Sequence, residues 1–311
     1  SLKPMNCPES SFIYRSKLRS YRDLPLRLNE YGRLHRNERS GTLSGLTRVR
    51  HFIQDDAHIY VRPDQIQDEI EGLLGEVREV YGWFGLKPRF AFATRPDDAL
   101  GDLALWERAE GLIRAALDAS ADGQYAVKPK DGTFYAPKID IYIDDALGRE
   151  WQMATIQVDL VMLPERFDLT YVDEHGDHLR PVAIHRAIYG SLERFIGILV
   201  EHFGGAFPLW VAPVQAVVIP IADRHVEAAR ELAGQLRSRG LRVEVDESDN
   251  RMQNKIRLAQ EQKVPYMLVL GDREIEARTA SPRTRSGEQQ PAESWAALAD
   301  RLAAESAARG A

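Results

Sequence analysis

Three residues of the chain carry the side chains from which zinc sites are built. Cys7 lies in Met-Asn-Cys-Pro, His58 in Gln-Asp-Asp-Ala-His and His185 in Ala-Ile-His-Arg-Ala. One thiolate and two imidazoles can hold zinc while a fourth position stays open for water or a substrate. Their wide spacing forms no short metal-binding motif. The residues alone therefore favour a small buried cysteine and two packing or surface histidines over a metal site.

A second group of residues is rich in arginine and suits a nucleotide. Residues 35–38 and 48–52 are predicted to form two strands, joined by a loop over 39–47 whose serine, glycine and threonine content is typical of a turn. A guanidinium can grip a phosphate or carboxylate with two hydrogen bonds, and it can stack on a flat base. Arg194, at the start of a predicted helix, is a candidate for the second face of a base-stacking site. Surface ion pairing is the alternative.

The elements that must position these residues differ between the two parts of the chain. In residues 1–207, segments 139–143 and 155–161 alternate apolar and polar residues, as strands with one buried face do. Segments 64–82 and 103–119 carry apolar residues at helical spacing. Because strands and helices follow in no regular alternation, we predict an α+β domain built on an antiparallel sheet.

Residues 208–311 alternate more regularly and predict a smaller α/β domain. The predicted strands and helices are 214–221, 225–239, 241–245, 252–262, 266–271 and 294–309. Gly240 is expected to end the first helix. The polar segment 279–291 is expected to be a loop or a weak hairpin. This order of elements predicts a small parallel or mixed sheet covered by helices.

Composition narrows the function classes. A length of 311 residues suits roughly two domains. The net charge is −6, so any RNA contact must come from a local basic patch. The sequence contains no apolar run of roughly 18 residues and no signal sequence, so nothing in it indicates a membrane protein. The single cysteine excludes an internal disulfide and fits a cytoplasmic protein. The start at Ser1, without an initiator methionine, suggests that residues precede it.

In order along the chain, the motifs resemble those of class II aminoacyl-tRNA synthetases, and among them the threonyl-tRNA synthetases. Class II enzymes have a strand pair with Arg-x-Glu and a following phenylalanine, and a strand and helix that end in an arginine. The matching strings include Lys-Pro-Met-Asn-Cys-Pro, His-Arg-Asn-Glu, Arg-Val-Arg, Gln-Asp-Asp-Ala-His-Ile, Ile-Gln-Val-Asp, Ile-His-Arg-Ala-Ile, Gly-Ser-Leu-Glu-Arg-Phe-Ile-Gly and Phe-Pro-Leu-Trp-Val-Ala-Pro-Val-Gln. The resemblance implies a class II catalytic domain over 1–207, without motif 1, and an anticodon-binding domain over 208–311.

The resemblance implies that Cys7, His58 and His185 hold one Zn²⁺ per chain. In this family the open zinc position takes the amino group and the hydroxyl of L-threonine together. Valine has the same shape but no hydroxyl, so it leaves a polar site unpaired and is rejected. Asp56 would accept the threonine hydroxyl, and Tyr135 would lie near the amino group.

The same resemblance implies an ATP site beside the zinc. Gln54 would help to hold the threonine carboxylate, and Arg36 would bridge this carboxylate and the α-phosphate. Glu38 would bind the adenine amino group, and the base would lie between Phe52 and Arg194.

Further contacts to ATP and to the floor of the pocket also come from the resemblance. Arg48 would contact the terminal phosphates, which Mg²⁺ would bridge. Lys138, Gln152 and Gln157 would complete the polar floor. Adenylate formation needs no general base because the carboxylate is already an anion, so positioning and charge neutralisation would drive it.

The implied activity is ATP-dependent activation of L-threonine to threonyl adenylate and its transfer to tRNA(Thr), by a homodimer. Glu274 and Arg283 match positions that contact anticodon bases, although solvated surface charges are the alternative. Two other functions fit the same residues. One is a paralogue that activates threonine or an analogue for biosynthesis or resistance, and the other is a non-catalytic RNA-binding or regulatory derivative.

Several residues depart from the family pattern. Ala136 and Ala154 stand where glycine is usual, Met153 replaces a smaller residue, and His51 replaces the glycine before the stacking phenylalanine. Added side-chain volume beside a tight pocket narrows it or shifts its backbone. Asp249 stands where an anticodon-contacting asparagine is expected, and a carboxylate is unfavourable next to RNA phosphates. These departures favour the paralogue modestly.

Overall fold

The computed structural model describes residues 2–120 and 123–309. They belong to two compact units, Ser1–Ile198 and Leu199–Ala311. The domain boundary expected between residues 207 and 208 stays a prediction. Along the described residues, no helix combines the length and the apolar character needed to cross a membrane.

The first unit is built on a mainly antiparallel sheet. Its strands are β1 (Leu26–His35), β2 (His51–Val61), β3 (Arg89–Ala93), β4 (Tyr125–Lys128), β5 (Lys138–Asp144), β6 (Glu150–Asp159), β7 (Tyr171–Val172), β8 (His178–Leu179) and β9 (Val182–Ala187). Seven of the described strands form one sheet in the order β1-β2-β9-β6-β5-β3-β4. Only β3 and β4 pair in parallel among these strands. The predicted antiparallel α+β architecture is confirmed.

Helices of this unit pack through stripes of apolar residues. They are α1 (Cys7–Arg15), α2 (Ile66–Gly82), α3 (Leu103–Ser120) and α4 (Met162–Arg166). A fifth helix, α5 (Leu192–His202), begins in this unit, and its last four residues belong to the second unit. In α2, residues Ile66, Ile70, Leu74 and Val77 recur at helical spacing and are fully buried. The helices predicted from periodicity are thus confirmed. Periodicity did not predict α1, which begins with Pro8 in its first turn.

The strand pair predicted for residues 35–38 and 48–52 is confirmed only in part. His35 lies at the end of β1, His51 and Phe52 lie at the start of β2, and the last pair of the ladder is His35 with His51. Beyond it the Arg36 N–H still donates to the Arg50 carbonyl at 2.9 Å, but the Glu38 N–H turns back to the Arg36 carbonyl. The prediction was wrong for residues 36–38 and 48–50, because their backbone N–H and C=O groups do not continue the ladder.

The second unit contains a mixed sheet with helices on both faces. Its elements are β10 (Ala216–Pro220), α6 (Val226–Ser238), β11 (Val243–Val245), α7 (Met252–Glu261), β12 (Tyr266–Leu270), α8 (Asp272–Ala277), β13 (Thr279–Ala280), β14 (Pro282–Thr284), β15 (Glu293–Ser294) and α9 (Trp295–Ala307). The strand order is β11-β10-β12-β14, and only β14 is antiparallel to its neighbour in the described sheet.

Alternation along β10 explains why both faces of this sheet are covered. Val218 packs in the cluster formed with α6 and α9, whereas Val217 and Ile219 pack in the cluster formed with α7. Gly240 follows α6 with a φ of +84°, as expected for a residue that ends a helix. The predicted mixed sheet is confirmed.

Candidate active site

The cysteine and the two histidines meet at the seven-stranded sheet of the first unit. His58 on β2 and His185 on β9 are direct partners in the strand register, and Cys7 is the first residue of α1. The Cys7 Sγ lies 3.7 Å from the His185 Nδ1. One ligand atom of each residue lies within 4.8 Å of the others. Residues that are far apart in the sequence are therefore close enough to share one cation.

The chemistry of this cluster fits a cation that prefers sulfur and nitrogen ligands. The His58 Nε2 is buried and has no hydrogen-bond partner among the described residues. Burial, and then the charge of His185, lower the pKa of His58 well below its usual value. His58 is thus a neutral imidazole, the form that binds metals. A buried nitrogen without a partner is costly unless an ion or molecule satisfies it.

Asp159, at the end of β6, orients His185 and was not predicted as a site residue. Its Oδ2 lies 3.3 Å from the His185 Nε2, so the other ring nitrogen faces Cys7. The carboxylate is fully buried and also accepts the backbone N–H groups of residues 161, 162 and 163. Burial lowers the pKa of His185, but the hydrogen bonds with Asp159 and Cys7 outweigh it and raise the pKa to about 10. A metal ion bound by Cys7 and His185 would therefore have to displace the proton on the Nδ1. Such outer carboxylates fix the orientation of metal-binding histidines.

A cavity of about 200 Å³ opens beside the cluster. Its polar lining comprises Cys7, Arg36, Gln54, Asp56, Tyr135, Thr155, Gln157, His185 and Arg186. The Tyr135 hydroxyl donates to the Gln157 Oε1, and its ring centroid lies 5.4 Å from that of His185. Burial raises the pKa of Asp56 to about 6, although a hydrogen bond from Asn6 opposes this effect. The cavity therefore has a size and a polarity suited to a small amino acid.

An adjacent cavity of about 220 Å³ is lined by the arginines. Its charged, aromatic and amide residues are Arg36, Glu38, Arg48, Phe52, Gln54, Gln152 and Arg194. Arg36 and Gln54 line both cavities. The two predicted groups of residues, one around the cysteine and one around the arginines, thus meet at these two side chains.

Two of the arginines keep their charge available to a ligand. Arg194 donates to the carbonyls of Thr47 and Gln152 at 2.9 and 3.1 Å. The Arg36 guanidinium lies 5.2 Å from the centroid of the Phe52 ring. Carbonyl and ring contacts orient a guanidinium without neutralising it, so an anion such as a phosphate would be attracted here. Arg48, by contrast, lies 3.5 Å from the Glu38 carboxylate.

Lys138 and Gln152 are linked through a buried carboxylate that sequence reasoning missed. The Lys138 Nζ and the Gln152 Nε2 each donate to Asp140 at 2.6 Å. Burial raises the pKa of Asp140, and the hydrogen bond from Lys138 opposes the rise. Asp140, a residue of β5, thus links this strand to Gln152 on the neighbouring strand β6. Lys138 belongs to this network and is not among the described residues that line either cavity.

Gly190 lines the arginine cavity at a position that has no room for a side chain. Its φ is +68°, and an added Cβ would lie 2.2 Å from the Met153 carbonyl oxygen. Its own carbonyl accepts the Asp55 N–H at 3.0 Å. The sequence string Tyr-Gly-Ser-Leu-Glu-Arg did not reveal this contact, because it depends on how closely β6 approaches.

We expect Gly190→Ala to lower the free energy of unfolding by about 2–4 kcal/mol, because the methyl group meets backbone and the φ is unfavourable. Chemical denaturation would measure the change. Gly75→Ala is the matched control, since that helical glycine has open space around it. The control should be neutral or stabilising by about 0.5–1 kcal/mol. Equal stability of the Gly190 variant and wild type would contradict the prediction.

The chain matches two family models in succession. Residues 1–203 match the class II core domain of tRNA synthetases (G, H, P, S and T), and residues 215–305 match an anticodon-binding domain. The crystal structure of the RNA-binding domain of threonyl-tRNA synthetase from Cryptosporidium parvum has a TM-score of 0.89 and 41% identity, covering 99% of this chain and 76% of that one. The chain belongs to the threonyl-tRNA synthetase family.

Other members of the threonyl-tRNA synthetase family are similarly close. The threonine–tRNA ligase of Thermotoga neapolitana is 54% identical over 93% of this chain and 45% of its own length. That of Anaeromyxobacter dehalogenans is 54% identical over 97% of this chain and 47% of its own. A threonyl-tRNA synthetase from Aeropyrum pernix has a TM-score of 0.81 and 29% identity, over 99% of this chain and 75% of that one. The chain spans about half the length of the curated relatives it matches.

The positions that depart from the threonyl-tRNA synthetase pattern lie in two places. Met153 and Ala154 line the arginine cavity, and Ala136 is fully buried next to Tyr135. Asp249 is exposed in the loop that follows β11. The first three positions can alter the pocket of the catalytic unit, whereas Asp249 faces solvent in the anticodon-binding unit.

Proposed function

We propose that the protein is a threonine–tRNA ligase that activates L-threonine with ATP and transfers it to tRNA(Thr). In the first step, a threonine carboxylate oxygen attacks the α-phosphorus, the bond to the leaving pyrophosphate breaks, and threonyl adenylate forms. In the second, a ribose hydroxyl of the tRNA attacks the acyl carbon and AMP leaves. The observation that carries this proposal is that an amino-acid-sized cavity, lined by Cys7 and His185 of the Cys-His-His cluster, shares Arg36 and Gln54 with an arginine-lined cavity.

In this proposal Cys7, His58 and His185 hold Zn²⁺, and the neutral, unpartnered His58 nitrogen supports the assignment. Zinc held by these three residues would supply a Lewis acid for the polar groups of threonine. Asp56 accepts the hydroxyl, and Tyr135 lies near the amino group. A side chain without a hydroxyl leaves these groups unpaired, which is why valine is excluded more strongly than shape alone allows.

The arginine cavity is proposed to bind ATP with Mg²⁺. Arg36 bridges the threonine carboxylate, which Gln54 helps to hold, and the α-phosphate, where charge develops in the transition state. The adenine lies between Phe52 and Arg194 and donates its amino group to Glu38. Arg48 exchanges its contact with Glu38 for the terminal phosphates, which is supported by the weak geometry of that ion pair at 3.5 Å. Gln152 and Gln157 form the polar floor, and Lys138 supports it through Asp140.

Two residues of the second unit are proposed to contact anticodon bases. The Glu274 carboxylate accepts a hydrogen bond from the Gly271 N–H at 3.0 Å at the start of α8. One of its two oxygens is therefore already engaged within the protein. Arg283 lies on β14, and its Nε is buried without a hydrogen-bond partner among the described residues. A buried nitrogen cannot itself reach a base, so both assignments are supported by the resemblance of these positions to those that contact anticodon bases in the family. A homodimer and a cytoplasmic location complete the proposal.

ATP–pyrophosphate exchange with the full-length, zinc-loaded protein tests the activity. We expect exchange with L-threonine far above that with L-valine, because threonine has a hydroxyl to pair with Asp56 and valine has none. L-serine, which keeps the hydroxyl, should fall between them. Absence of exchange with all three amino acids, in a folded protein that contains zinc, would refute the proposal.

The paralogue is the second candidate, and Asp249 is the observation that favours it. The carboxylate is exposed, and a negative charge near RNA phosphates weakens binding. Threonine-dependent exchange without charging of tRNA(Thr), restored by Asp249→Asn, would support this candidate over the ligase.

A further inference from the structure

The side chain of Asn6, next to the cysteine of the metal cluster, is used in an unexpected way. Asn6 is the residue before the first turn of α1, where asparagine commonly caps the helix with its side chain. Here it makes no such capping hydrogen bond. It is instead fully buried, and its Nδ2 donates to the Asp56 Oδ2 at 3.0 Å. The Asn6 side chain therefore contacts Asp56 and does not cap the N-terminus of α1.

This contact fixes the orientation of the Asn6 amide. Its Oδ1 is buried without a hydrogen-bond partner among the described residues. If the amide were turned over, its oxygen would face the carboxylate, which is electrostatically unfavourable. No other described residue donates a hydrogen bond to the Asp56 carboxylate. Asn6 therefore holds one oxygen of Asp56. The Asp56 side chain lines the cavity of about 200 Å³.

Gly32 on β1 provides the space for the amide. A Cβ added at this position would lie 2.2 Å from the Asn6 Oδ1 and 2.6 Å from its Nδ2. Gly32 is paired with Gln54 in the strand register, and it lines neither cavity among the described residues. A side chain at residue 32 would thus displace Asn6 without adding a group that touches a ligand.

We propose that Asn6, seated on Gly32, is a positioning residue for the specificity of the proposed activation reaction: it holds one oxygen of Asp56 so that the other is presented to the hydroxyl of the amino acid. The inference rests on the proposed function. It makes the contribution of Asn6 dependent on Asp56 and on the presence of a hydroxyl in the substrate. A carboxylate free to rotate would accept the hydroxyl in fewer of its orientations.

The test compares zinc-loaded wild type with the variants Asn6→Ala and Gly32→Ala. Pyrophosphate exchange gives kcat/KM for L-threonine and for L-valine. Calorimetry without ATP gives the affinity for L-threonine. We expect both variants to lose about 10- to 100-fold in the threonine-to-valine ratio, mainly through a higher KM for threonine, with the KM for ATP and one zinc per chain retained. Asn29→Ala, an exposed asparagine three residues before Gly32, is the matched control and should keep the wild-type ratio.

A double-mutant cycle separates positioning from a general structural role. In an Asp56→Ala background, Asn6→Ala should cause no further loss of threonine affinity, because the two residues act as one unit. Additive losses, an unchanged ratio in Asn6→Ala, or a loss that follows the zinc content would each overturn the inference. Wild type that exchanges with none of the amino acids would refute the proposed function and this inference together, whereas an active wild type whose variants keep its threonine-to-valine ratio would refute only the inference.

Discussion

Cys7→Ala should remove zinc from the protein and lower threonine-dependent pyrophosphate exchange by about 1000-fold, since coordination of a substrate by a metal contributes several kcal/mol. The two remaining ligands, His58 and His185, cannot complete a stable site that normally requires three protein ligands and one substrate position. Metal analysis gives the zinc content, and exchange gives the activity. His58→Ala should have the same effect because it removes the nitrogen that has no other described partner.

The composition of the chain supplies an independent readout for this prediction. Cys7 is the only cysteine, so titration of free thiols reports on this single ligand. In wild type, the thiol should react slowly until a chelator removes zinc, because a coordinated thiolate is protected. His178→Ala, at an exposed histidine of β8, is the control and should leave the zinc content unchanged. A rapidly reacting thiol in a protein that retains zinc would contradict the assignment of Cys7.

The parts of the site that sequence predicted are those that a string of residues displays directly. Alternation along residues 139–143 and 155–161 predicted strands, and β5 and β6 confirm them. The resemblance indicated Cys7 and His185, although 178 positions separate them. Periodicity can predict a strand and its buried face, but the contact between these two residues depends on how α1 packs over β9. Only the family motifs carried that information.

The supporting residues could not be predicted in the same way. Asp159 lies on the polar face of a predicted strand and ends the family-like string Ile-Gln-Val-Asp, but neither signal assigned it a role. Its role depends on a hydrogen bond across two strands. Asn6 resembles an ordinary helix cap, and its contact with Asp56 appears only when α1 lies over β1. Residues that act through a neighbour are defined by tertiary packing, so local patterns do not reveal them.

The loop between β1 and β2 shows why a local pattern can also mislead. Residues 36–38 and 48–50 have a strand-like composition, but they lie beyond the last ladder pair. Beyond that pair the Glu38 N–H bonds back to the Arg36 carbonyl, and Arg36, Glu38 and Arg48 line a cavity of about 220 Å³. Local composition does not encode where a ladder ends, so the pattern extended the strands too far.

Arg36→Ala should lower kcat/KM for pyrophosphate exchange by about 100- to 1000-fold, the effect expected when one group that stabilises developing charge is removed. Arg36 is exposed, lines both cavities and lies over the Phe52 ring, so its loss affects the carboxylate and the phosphate at once. Arg36→Lys should restore only part of the activity, because an ammonium group cannot bind two acceptors with the planar geometry of a guanidinium. Steady-state exchange kinetics over both substrates would measure these changes.

The control for Arg36 lies on the same strand end. Arg33 is an exposed arginine of β1 that lines neither cavity among the described residues, so Arg33→Ala should keep the wild-type kcat/KM while removing the same charge. A fall in kcat with unchanged KM values in Arg36→Ala would place its effect in the transition state, and a rise in both KM values would place it in substrate binding as well. Equal losses in the two variants would mean that overall charge matters and that Arg36 does not bridge the two cavities, because a bridging role depends on position and a long-range field does not.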